Sequence, residues 1–250
     1  MKKILIIIAV LLVGNFLSSL EFILIEPRDG SQILSAFYVS TIQVTQHFFK
    51  EIMGHNPSFF KGDSLPVESL SWYEALVFCN RLSIAHHLDP VYDFDGYRDP
   101  NYWGRPPNHR HVYWSSIQAD STANGFRMMT HTEWNYLYNL LKDDLQENIE
   151  EYAWIYTNSE NRTHNVGTKS PDKLGLYDFL GNVHEWRFNY GGNLPHYYFR
   201  PSTQESRVLV ESLSFDLLRS LDFMTLRDDL GLWPVVRNRR VGLRVVRNKE

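Results

Sequence analysis

Ser71-Trp72-Tyr73-Glu74-Ala75-Leu76-Val77-Phe78-Cys79-Asn80-Arg81-Leu82 is the stretch on which the reading of the fold turns. Ser71 and Glu74 stand three apart just before an apolar run, the spacing at which each side chain satisfies a free backbone donor beside the other. A helix is predicted from Ser71, with Ala75, Leu76, Phe78, Cys79 and Leu82 on its apolar side. Thr130 and Glu133 repeat the arrangement ahead of Trp134, Leu137, Tyr138, Leu141 and Leu145, so a second helix should open with the same chemistry. Thr45 precedes a further helical pattern, with Phe48, Phe49, Ile52 and Met53 on one side and Gly54 as its stop.

Elsewhere the regular segments are short. Residues 36–39, 42–44, 153–156, 164–166, 183–187, 207–210 and 241–246 read as strands. Residues 89–124 are rich in Tyr, Trp, Pro, Asp and Gly without sustained periodicity, which predicts a long ordered loop carrying one short hairpin. Few helices, short strands and long loops describe an irregular α+β domain. No Gly/Ser-rich or Pro-rich linker divides the chain, so a single domain is expected over 21–250, after a leader of 1–20.

The leader reading rests on Lys2 and Lys3 before the apolar run 4–13, followed by Gly14, Asn15, Ser18 and Ser19, the layout of a secretory signal peptide. An uncleaved anchor is the alternative, because apolar residues continue through 22–25 and about twenty residues span a bilayer. Either places the bulk outside the cytoplasm, whether periplasmic, secreted or membrane-anchored, with membrane contact only through that segment. Of the 250 residues 43% are hydrophobic, 22% charged and 14% aromatic, ample for a core and unlike a disordered chain. A net charge of -4 excludes the broad basic surface of a protein that grips nucleic acid through phosphates. The single cysteine, Cys79, excludes an internal disulfide framework, a thiolate zinc site and any chemistry needing two thiols from this chain. Its place on an apolar helix side reads as a buried small hydrophobe.

A series of motifs then resembles one family in order: Phe37-Tyr38-Val39, Val44-Thr45-Gln46, Asn56-Pro57-Ser58-Phe59-Phe60-Lys61-Gly62, Pro66-Val67-Glu68 and Ser71-Trp72-Tyr73-Glu74-Ala75. Phe78-Cys79-Asn80-Arg81-Leu82-Ser83, Pro90-Val91-Tyr92, Gly125-Phe126-Arg127, Thr130-His131-Thr132-Glu133-Trp134 and Arg162-Thr163-His164-Asn165-Val166-Gly167 continue it. Gly175-Leu176-Tyr177-Asp178, Gly181-Asn182-Val183-His184-Glu185-Trp186 and Gly242-Leu243-Arg244-Val245-Val246 complete it. Together they resemble the formylglycine-generating enzymes, or sulfatase-modifying factors. The resemblance implies the family's C-type-lectin-like α+β fold.

It also implies what should be present at the sites. Family enzymes oxidise a sulfatase cysteine to formylglycine with molecular oxygen and a copper ion held by two thiolates, soft ligands suited to Cu(I). Here the first cysteine position falls on Asp216 and the second on Leu221, and a leucine coordinates nothing. The Gly-Gly pair preceding that site is replaced within Glu211-Ser212-Leu213, His184 stands for a usual Trp, Met128-Met129 for Leu-Pro and Leu243 for Phe. The copper chemistry is therefore expected to be lost, leaving a degenerate member that binds a peptide or a glycan as an accessory domain. Two alternatives stand beside it: an oxygen-dependent oxidoreductase modifying a protein cysteine with a non-standard metal such as iron near Asp216, and a structural component of the cell envelope.

The resemblance further implies a structural calcium held by carboxylates of Asp178 and Glu185 and carbonyls of Gly181 and Val183, since a hard ion needs several oxygens at about 2.3–2.6 Å. His184-Glu185 lacks the second histidine of a helical zinc site. The basic tail of Arg237, Arg239, Arg240, Arg244, Arg247 and Lys249 suits an acidic partner, but reads better as a strand with one solvated face. Trp103, Trp114, Tyr102 and Tyr113 are the candidate ligand-stacking residues, because their loop is both irregular and aromatic.

Overall fold

Ser71 and Thr130 cap their helices as the spacing requires. In each, the hydroxyl accepts from the backbone of the residue three on and Glu74 or Glu133 returns the bond to the cap. The computed structural model describes residues 20–27, 35–109, 111, 113–188, 210–211 and 233–249. In chain order its elements are β1 (Phe22–Ile25), β2 (Phe37–Ser40), α1 (Gln46–Met53), α2 (Trp72–Ala85), β3 (Tyr92–Asp93), β4 (Gln118–Ala119), β5 (Phe126–Met128), α3 (His131–Glu147), α4 (Ile149–Tyr152), β6 (His184–Trp186), β7 (Val210–Glu211), β8 (Val241–Gly242) and β9 (Val245–Asn248).

The main sheet is antiparallel in the order β1-β2-β9-β5, so the last strand in sequence lies in its middle. Val246 faces Val39 on one side and Arg127 on the other. Successive residues of a strand point to opposite faces, and here both faces are covered. Phe22, Phe126, Met128 and Val245 join the core around α1 and α2, whereas Ile23, Ile25, Phe37, Val39 and Val246 join the one beneath α3. The unbroken apolar run of β1 is thus a strand buried on both sides. Those residues do not extend a membrane span, and no helix among the described residues is long and apolar enough to cross a membrane.

Helix α2 is buried almost all round, which fits its continuous apolar sequence, and packs against α1 and β5. Asn80 on it ties down the start of the long loop, accepting from Tyr92 N (3.0 Å) and donating to the carbonyls of Tyr92 (2.6 Å) and Arg98 (2.8 Å). α1 ends at Gly54, whose φ of 79° is the left-handed cap a glycine permits. α3 starts beside a buried ion pair in which Arg127 Nη1 and Nη2 each donate to a Glu133 oxygen, at 2.8 and 2.6 Å. Burial alone would raise the Glu133 carboxyl, yet Arg127 and the Thr130 cap hold it below the ordinary range.

Three expected strands do not form. Residues 42–44, 153–156 and 164–166 are extended or turning chain whose donors go to loops and to asparagine side chains: Val44 N to Leu243 O, Val166 N to Ser64 O, Ile155 N to Asn158 Oδ1 and His164 N to Asn182 Oδ1. Of 207–210 only Val210 lies within the described residues, as the start of β7. The expected strand over 241–246 divides. β8 pairs in parallel with β6, whose other neighbour is β7, while β9 belongs to the main sheet. Leu243 and Arg244 therefore lie where the chain crosses from one sheet to the other.

Candidate functional site

The turn 177–185 curls its carbonyls inward because Asp178, Gly181 and Asn182 all take positive φ, at 50°, 89° and 58°. Gly181 also sits against the chain at Trp154, where no Cβ would fit. Asn182 staples the turn by donating from Nδ2 to His164 O (3.0 Å) and accepting from His164 N at Oδ1 (3.0 Å). The four residues expected to hold a cation are brought together, with the main-chain carbonyl of Asp178 at the centre and its carboxylate Oδ2 accepting from Gly167 N at 2.8 Å. At that centre is the Gln43 amide nitrogen, 3.3 Å from Asp178 O, 3.3 Å from Gly181 O, 3.0 Å from Val183 O and 3.1 Å from Glu185 Oε1. As packed, the residues do not fit a calcium ion, since a hydrogen-bond donor takes the point on which the oxygens converge.

Arg244 closes the other side. Its Nε donates to Glu185 Oε1 (3.0 Å), Nη1 to Ser40 O (2.8 Å), and Nη2 to Tyr177 O (2.7 Å) and Asp178 O (3.2 Å). It is wholly buried and Arg247 nearly so, while Arg237 pairs with Glu74 at 3.1 Å. The tail is therefore not one solvated face. Guanidinium groups can be buried where carboxylates and carbonyls receive their donors, a pairing that local sequence does not display. Gln43 and Arg244 are the members sequence reasoning missed; the crossing position of the Gly-Leu-Arg motif was the available signal for the second.

Three carboxyls near this turn are raised above their ordinary range, in each case chiefly by burial. Asp172 and Asp178 reach about 6, and Glu185 is raised despite Arg244. Asp172 caps its own turn, accepting from Leu174 N (2.8 Å) and Leu176 N (3.1 Å). Because its folded value of about 6 exceeds the ordinary 3.8, the native state holds its proton to higher pH than the unfolded chain. The contribution to stability is complete below the ordinary value and is lost as pH rises through about 6. Asp172→Asn should flatten that dependence. The stability difference between variant and wild type is expected to change by roughly 1–1.5 kcal/mol between about pH 5 and 7.5, read from urea unfolding at each pH.

The aromatic loop departs from expectation in one half. Trp103 and Trp114 are each only 4% exposed and meet edge to face within the core, with Trp103 Nε1 donating to Tyr97 O (2.8 Å). They are core residues and offer no stacking surface, because large apolar rings in an irregular loop are what order it. Their neighbours behave otherwise: Tyr102 is 71% exposed, Tyr113 70% and Tyr97 54%. Tyr97 and Tyr102 lie 5.4 Å apart between ring centroids, and His111 lies 5.7 Å from Tyr113.

Cys79 is fully enclosed in α2, and burial pushes its thiol up, so it is the unreactive reading that the structure bears out. Copper held by paired thiolates does not fit a chain with this one cysteine. Asp216 and Leu221 lie outside the described residues. Among the described residues no cluster of three His, Cys, Asp or Glu side chains is arranged to hold a metal ion.

Comparison with known proteins agrees with this architecture. The chain is 33% identical over 182 residues to chaperone protein LppX of Paenibacillus barcinonensis, spanning 63% of this chain and 64% of that protein's length. Among solved structures, variable protein 1 of Treponema denticola superposes with a TM-score of 0.76 at 26% identity, covering 96% of this chain and 98% of that one. CarF superposes with a TM-score of 0.64 at 22% identity, over 87% and 88%. A family model described as the sulfatase-modifying factor enzyme 1-like domain matches residues 8–249. The α+β architecture, the ordered motifs and this match over nearly the whole chain together make the protein a member of the sulfatase-modifying factor family.

Proposed function

We propose that the protein is an exported family member that has given up thiolate-copper oxidation and works by binding a polypeptide. The observation that carries the reading is the state of its one thiol: Cys79 lies at 0% exposure inside the central helix, with its proton held by burial. A soft two-sulfur copper site cannot be assembled from it. Binding is supported by the loop that Trp103 and Trp114 order from beneath, which leaves Tyr97, Tyr102 and Tyr113 in solvent. Rigid amphipathic rings with few rotatable bonds suit contact with another chain. The name of the relative from Paenibacillus barcinonensis, a chaperone, favours a polypeptide over a glycan. Export is supported by Lys2, Lys3 and the apolar run that follows them.

Two measurements test the reading together. The full chain, supplied with copper or iron, oxygen and a cysteine-containing peptide, should yield no aldehyde product by mass spectrometry. Aldehyde formed with iron would favour the oxidoreductase alternative. The chain should bind unfolded polypeptide in fluorescence anisotropy, and Tyr102→Ala with Tyr113→Ala should weaken that binding about tenfold. Unchanged affinity in the double variant would remove the tyrosines from the binding surface.

A further inference from the structure

The four oxygens that converge inside the 177–185 turn each find a donor without a metal. Four oxygens converge there: the carbonyls of Asp178, Gly181 and Val183, and Glu185 Oε1. Arg244 serves two of them, donating from Nη2 to Asp178 O and from Nε to Glu185 Oε1. The Gln43 amide has two N–H groups, which leaves one each for Gly181 O at 3.3 Å and Val183 O at 3.0 Å. Each oxygen thus has an N–H, and the carboxylate has a buried guanidinium as counter-charge. The orientation of the amide follows from the same chemistry. Reversed, it would set its own carbonyl oxygen against four others in a dry interior and leave Gly181 O and Val183 O without a donor.

We propose that the Gln43 amide and the Arg244 guanidinium together take the place of a divalent cation in this turn, so that the fold is held there independently of metal. A cation of this kind pins converging oxygens by charge; here the same oxygens are pinned by N–H donors from two residues far apart in the chain. The arrangement leaves a mark of the substitution. Gln43 Oε1 is buried without a hydrogen-bond partner; Asp178 Oδ1 is another such atom of the turn, outside the four converging oxygens. Gln43 is held for its nitrogen end, at the expense of its oxygen. A glutamate at 43 would bring an acceptor and a charge in place of two donors, and would leave the turn dependent on a cation.

The test uses the full chain, with calcium ion itself as the probe. Wild type should show no saturable calcium binding in calorimetry, and its melting temperature should be the same in chelator and in millimolar calcium chloride. Gln43→Glu should melt about 5–10 °C lower than wild type in chelator and recover most of that loss in millimolar calcium. Calcium binding to wild type that raises its melting temperature overturns the proposal, whatever the variant does. So does a Gln43→Glu protein that melts like wild type in chelator. Should Gln43→Glu fail to fold without metal, folding it in calcium and then adding chelator gives the same reading: unfolding supports the proposal, and continued native fluorescence overturns it.

Discussion

Arg244→Met is expected to lower the free energy of unfolding by about 3–5 kcal/mol, the range for removing one partner of a buried ion pair. The methionine keeps much of the side chain's length and apolar stem, so the loss isolates the charged head. Four acceptors lose a donor at once: Glu185 Oε1 and the carbonyls of Ser40, Tyr177 and Asp178, with only the shared Gln43 amide left near the first and last. Glu185 is at 2% exposure and its carboxyl is already raised by burial, so without Arg244 it can be accommodated only by taking a proton. The deficit should therefore narrow as pH falls, because the protonated acid no longer needs a counter-charge. Urea unfolding of wild type and variant at neutral and at mildly acidic pH checks both the size and the trend. A loss below about 1 kcal/mol would mean that the guanidinium does not hold the turn to the sheets.

Gly181→Ala should cost about 2–5 kcal/mol, through two independent effects that add. The residue has φ of +89°, where a side chain is strained, and a Cβ there would lie 2.6 Å from Trp154 O and 2.9 Å from both Ala153 Cβ and Trp154 N. Two of those three neighbours are backbone atoms, fixed in part by the bond from Asn182 N to Trp154 O (2.8 Å), so the clash is relieved only by moving the turn. Gly54→Ala separates the two effects. Its φ is +79° with nothing within 4 Å of the added Cβ, so it carries the backbone strain alone, about 1 kcal/mol. Equal losses at the two positions, measured by the same unfolding assay, would remove the steric part of the explanation.

Much of the fold was legible because its signals are local. Ser71 with Glu74 and Thr130 with Glu133 act over three residues, and Gly54 ends α1 by its own backbone freedom, so each could be read without knowing what packs nearby. The strands at 42–44, 153–156 and 164–166 were over-read for a related reason. A short β-branched or aromatic run says that a segment suits extended chain, while a strand also requires a partner at the right distance, and here the donors found loop carbonyls and asparagine side chains. The aromatic loop shows the same divide within two dipeptides. Tyr102-Trp103 and Tyr113-Trp114 look alike in sequence, yet each tyrosine is in solvent and each tryptophan in the core.

The order of residues was enough to say where the three longer helices begin, that the apolar content suffices for one α+β domain, and that paired-thiolate chemistry is unavailable to a chain with a single cysteine. Which polar groups are buried together emerges from the folded chain alone. Gln43 and Asp178 are 135 positions apart, and Arg244 reaches Ser40 across 204. Helix capping and turn formation depend on neighbours a few residues away, whereas a buried amide or guanidinium is tolerated only where distant segments bring it enough acceptors, and that supply exists only once the chain has folded.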